Sequence, residues 1–189
     1  MEPTTDLSGL IEFIGQISIA VLTLSGVASI FYLISFGVGL SKLGGTASMY
    51  DKAPEPKLVL SYLVGSILFG SFTYMLGVSY MTIYQESAFT TTAVWQYAQS
   101  GPTSSSSTNM AAILIRSVFQ LMAIIFLYGA FSKAVDAGRS DGRERGALTN
   151  AMFKLVAAVA LWTPEKTVEF FSFIPFFDVF ATLLSGSTP

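Results

Sequence analysis

The chain has 189 residues, 52% hydrophobic and 12% charged, with a formal net charge of -2 and neither Cys nor His. That balance belongs to a bilayer rather than to water. The missing residue types remove a thiolate nucleophile, an imidazole base, any disulfide and Cys/His zinc or haem ligation, so the chain reads as non-enzymatic, with no metal and no catalytic cofactor.

The first 13 residues hold Glu2, Asp6 and Glu12 and no base. A secretory signal wants a positive start ahead of a short apolar core, so this start argues against cleavage there, although Gly45-Thr46-Ala47 has the small-x-small form of a processing site. Residues 15–40 carry no charge at all. As a helix they reach roughly 39 Å, more than the ~30 Å hydrocarbon layer requires. A second uncharged run, 58–83, follows a connection at 41–57 that contains Lys42, Lys52 and Lys57 and is broken by Gly44-Gly45, Pro54 and Pro56. A soluble domain of this length has no interior wide enough to hide two such runs on every side.

Residues 84–109 hold Glu86, a Gly101-Pro102 pair and a Ser/Thr run, with no Lys or Arg. They read as a polar loop. A third apolar run, 110–131, carries Arg116 and, one turn on, Gln120. The loop expected at 132–146 mixes Lys133, Arg139, Arg143 and Arg145 with Asp136, Asp141 and Glu144. Its glycines at 138, 142 and 146 match no phosphate-binding fingerprint, and with so few bases there is no groove for sequence-specific nucleic acid. Residues 147–162 predict a fourth helix of about 24 Å holding Lys154, and Thr163-Pro164-Glu165 predicts a fresh helix start. Beyond it the phenylalanines at 170, 171, 173, 176, 177 and 180, interrupted by Pro175 and Asp178, read as an interfacial segment over 163–189.

The expected fold is therefore all-α and integral to a membrane: two helical hairpins with three to four transmembrane helices, plus an aromatic-rich interfacial C-terminal helix. Because the bases cluster in 41–57 and 132–146, those loops are expected to face the cytoplasm of a bacterial inner membrane and the N-terminus and the 84–109 loop to face outward.

Arg116 is the one strong base inside a long apolar span. It is expected either to meet an outer-leaflet phosphate or Glu12, or to snorkel without a partner. Gln120 shares its helix face and marks a helix or subunit contact. Lys133, Arg139, Arg143, Arg145 and Lys154 are candidate contacts to lipid headgroups, and phospholipid is the one bound molecule expected. Small residues at Ser66, Gly70, Gly77, Ala147, Ala151 and Ala158 are candidate close-approach points between helices, as are Ser25 and Ser29.

From LIRSVFQ (114–120) through the Gly-punctuated charged loop to Gly-Ala-Leu-Thr (146–149) and the small-residue helix behind it, the chain resembles the small inner-membrane proteins IcmC/DotE and their relatives DotV and TraQ. The likeness extends to GVGLSKLGGTASMYDKAPEPKLVLSYLVGSIL and covers roughly residues 15–171. It implies a structural subunit of a type IVB secretion or IncI-like conjugation machine, whose partners are membrane lipid, copies of itself and other subunits of the apparatus. A pilin that polymerises with phospholipid is the alternative it implies, with an extracellular pilus as its location. A small channel or transporter is a second alternative, with Arg116, Gln120 and Lys154 as a thin polar set.

Overall fold

The computed structural model describes residues 4–45, 54–84, 110–139 and 146–171. Those residues form an all-helical bundle: α1 Thr4–Gly44, α2 Pro56–Gly70, α3 Phe72–Tyr84, α4 Met110–Arg139, α5 Ala147–Trp162 and α6 Pro164–Phe170. Two helices, Gly9–Gly44 and Ile113–Gly138, are long and apolar enough to cross a bilayer, and the number rises to four if each bent pair, α2 with α3 and α5 with α6, is one span. The fold fits a membrane protein. Residues 85–109, which hold nearly all of the expected outer loop, lie outside the described residues, as do Lys52, Arg143, Arg145 and the residues from 172 onward.

Three boundaries differ from the sequence reading. The first helix begins at Thr4 and ends at Gly44, because no Pro and no paired Gly interrupts the chain between them. The run expected as one helix over 58–83 is two, bent by 79° between Gly70 and Phe72. The cause is local: the Ser71 hydroxyl and its N–H both donate to the Ile67 carbonyl, at 2.5 and 2.9 Å, and this back-bonding beside a glycine turns the helix. The third helix continues to Arg139, so Lys133, Asp136 and Arg139 stand on its last turns rather than in a loop. Lys133 and Asp136 pair at 3.7 Å, which supports helix there. At Thr163 the chain turns by 102° into α6.

Glycine and serine set the helix spacing. A Cβ on Gly39 would lie 2.9 Å from Val59, and one on Gly70 would lie 2.9 Å from Ser29, so α1 and α2 run antiparallel in close contact. Gly65 faces Val135 and the Tyr32 ring, and Gly138 faces Ser61, which sets α2 antiparallel to α4. Lys42, Lys57 and the backbone of Arg139 thus gather at one end of the bundle, and Lys133 lies about 9 Å further in along α4. The Ser29 hydroxyl donates to the Ser66 carbonyl at 2.8 Å, a cross-helix bond in otherwise apolar surroundings. Ser29→Ala is expected to lower stability by about 0.6 kcal/mol, read as a reduced melting temperature in detergent.

The core lies where α1 to α5 meet. Leu76, Ile124, Leu127, Val135 and Val159 are fully enclosed. Phe69 stacks on Tyr32 and meets Tyr128 and Phe131 edge-on, with centroids 5.0 to 5.7 Å apart. Ala147, Ala151 and Ala158 turn inward on α5, and Gly77 is buried on α3. The outward face is apolar as well, with Ile30, Phe31 and Ile34 of α1 each more than 60% exposed.

Candidate functional site

Polar side chains inside an apolar bundle are costly, so their positions mark where chemistry or contact is concentrated. Several lie along the hairpin that α4 makes with α5 and α6. Arg116 Nη2 and Glu165 Oε2 pair at 3.3 Å, with the two side chains 47% and 42% exposed. This corrects the expectation that Arg116 pairs with Glu12 or stays unpaired. The antiparallel packing of α4 on α5 carries the start of α6 up to the Arg116 level, and Glu165 in its first turn completes the pair. A pair this open to its surroundings contributes little to stability in water; its role is to fix where α6 leaves α5.

Gln120, one turn beyond, turns into the bundle. It is 6% exposed, and its Oε1 has no hydrogen-bond donor among the described residues. Thr163 Oγ1, at the α5–α6 bend, is likewise buried and unpartnered. Thr163 heads α6 without a side-chain capping bond. Instead Thr167 donates its hydroxyl to the carbonyls of Ala160 and Thr163, at 2.6 and 3.2 Å, satisfying groups that the end of α5 leaves open. Because a buried unsatisfied amide oxygen costs more than its removal, Gln120→Leu is expected to stabilise the fold by about 1 kcal/mol. Thermal unfolding in detergent checks the sign.

Lys154 lies midway along α5, half-buried against α4. A Cβ on Gly129 would sit 3.3 Å from its Nζ, so the ammonium is folded across α4 in the notch that glycine leaves. Lys154 makes no hydrogen bond or ion pair with any described residue. Lys133, one turn from Gly129 toward the basic end, is paired with Asp136. Ser66 and Gly70 sit in the α1–α2 contact already described. The side chain of Arg139 lies outside the described residues.

Among the described residues there is no group of three or more acidic, His or Cys side chains that could hold a metal. What the arrangement offers is electrostatic and steric: an ion pair at a helix bend and, among the described residues, a half-buried cation without a counter-charge in the α4–α5 seam. The missed partner, Glu165, had a signal in the sequence. Folding the chain about residue 141 brings residue 116 level with 166 and 129 level with 153, which an antiparallel hairpin requires. Set against protein-family models, curated proteins and solved structures, the chain matches none.

Proposed function

We propose that the chain is a structural, non-enzymatic subunit in the inner membrane of a bacterial type IVB-like secretion or conjugative transfer apparatus, acting through helix contacts with lipid, with copies of itself and with other subunits. The observation that carries this reading is α1: a 41-residue helix that spends only one side on its own bundle and leaves Leu24, Val27, Phe31 and Ile34 uncovered. Apolar surface on this scale requires lipid or neighbouring helices. The basic end, with Lys42 and Lys57, is taken as cytoplasmic.

Deleting the gene in a host that carries such an apparatus tests the function. Loss of plasmid or effector transfer, restored by the wild-type chain, is the expected result, and undiminished transfer rejects it. Recovery of the protein in sheared extracellular filaments, rather than with the inner-membrane fraction, selects the pilus subunit instead. The orientation is separately checkable because the chain has no native Cys. A single cysteine at position 42 or 57 should react with an impermeant thiol reagent only from the cytoplasmic side.

A further inference from the structure

We propose that the α4–α5 seam is a docking surface for one transmembrane helix of a different membrane protein, recognised through a carboxylate that meets Lys154. Depth comes first. Gly129, against which the Lys154 ammonium rests, lies about 15 Å along α4 from Arg139 and about 20 Å from Arg116, at 1.5 Å per residue. The apolar span Ile113–Gly138 therefore has this cation near its middle. A headgroup phosphate does not sit at that level; a side chain on a neighbouring helix does. An ionisable residue in such a place pairs with an opposite charge or lines a polar path.

The surface around it fits a helix. Val118, Met122 and Ile125 are exposed on α4 at the spacing of one helical stripe, and Gly129 is the next position along it. Phe153, next to Lys154 on α5, is 72% exposed. Glycine at 129 lets a neighbouring backbone approach closely while the ammonium stays within reach.

A second copy in the same orientation does not supply the carboxylate. Among the described residues Glu12, Glu55, Glu165 and Glu169 stand toward the ends of the bundle and Asp136 lies about 10 Å along α4 from Gly129; Asp136, Glu165 and Glu169 are already paired. Charge complementarity therefore selects a foreign helix that is apolar along its length with one Asp or Glu near its centre. This inference depends on the chain lying in a bilayer and not on the secretion reading, so each can fail alone.

The test uses the full chain, fluorescently labelled, in phosphatidylcholine vesicles with synthetic Leu/Ala transmembrane peptides that carry Asp, Asn or Leu at the centre. Energy transfer is expected to report roughly tenfold tighter association for the Asp peptide than for the Leu peptide, the scale of a good interhelical polar contact. Lys154→Met and Gly129→Leu should each abolish the difference, with folding checked by circular dichroism. Lys154→Glu should transfer the preference to a Lys-bearing peptide, a reversal that misfolding cannot produce. Equal binding of all three peptides by the wild-type chain overturns the proposal. So does an Asp preference that vanishes in phosphatidylglycerol vesicles, which would make a lipid phosphate the occupant, or a large gain in peptide binding by Asp178→Asn, which would make the chain's own C-terminal carboxylate the occupant.

Discussion

Phe69→Ala is expected to cost about 3–5 kcal/mol, enough to remove most of the folded population in mild detergent. Phe69 is 2% exposed and touches three aromatic rings on two other helices: Tyr32 on α1, and Tyr128 and Phe131 on α4. In lipid the gain from removing apolar surface from water is small, so the contacts themselves carry the stability. Removing the ring deletes the aromatic edges and leaves a void that helices pinned by glycine contacts on both sides are poorly placed to close. A melting curve followed by circular dichroism or by tryptophan fluorescence reads the effect, and Trp162, buried in the same core, is a built-in reporter. A drop in melting temperature no larger than that of Ser29→Ala would show that the ring cluster does not organise the bundle.

Gly65→Leu should act by the opposite route. A Cβ alone would stand 2.8 Å from Val135 and 3.1 Å from the Tyr32 ring, two side chains on two different helices. Neither can yield without moving its own helix, and Leu adds three further carbons to the clash. The expected cost is about 3 kcal/mol, with loss of the α2–α4 contact rather than a local adjustment. Gly26→Leu is the matched control, since a Cβ there meets nothing within 4 Å, and it should retain near-native stability. Size-exclusion profiles and protease resistance in detergent separate the two variants.

The all-helical class was legible because it rests on long runs without charge, Pro or paired Gly, and those dictate helix whatever the neighbours do. The close approaches of Ser29 to Ser66 and Gly70 were legible in kind, since small residues at helical spacing admit few other uses in lipid. The bend at Ser71 was not read, although Gly70-Ser71 is a known weak point. A single hydroxyl back-bond decides it, and composition cannot tell whether that serine faces its own helix or another. Gln120 was read as a helix or subunit contact; periodicity shows which residues share a face, and only the packing shows that this one turns inward. For Lys154 the residue was visible but its direction was not, as only the glycine opposite it determines where the ammonium rests.

The length of α1 has a mechanical consequence. Its apolar portion, Gly9–Gly44, is 36 residues, roughly 54 Å of helix against a hydrocarbon layer of ~30 Å. The 0–40° range of tilt seen for membrane helices does not absorb that excess. With Lys42 held among headgroups on one side, the helix leaves the hydrocarbon after about 20 residues, and Leu10 and Phe13 stand beyond the opposite boundary unless the lipid around them thickens. Stretched lipid is an elastic load on every isolated molecule. Crowding together lets neighbours share one deformed annulus, so hydrophobic mismatch by itself draws these chains into clusters.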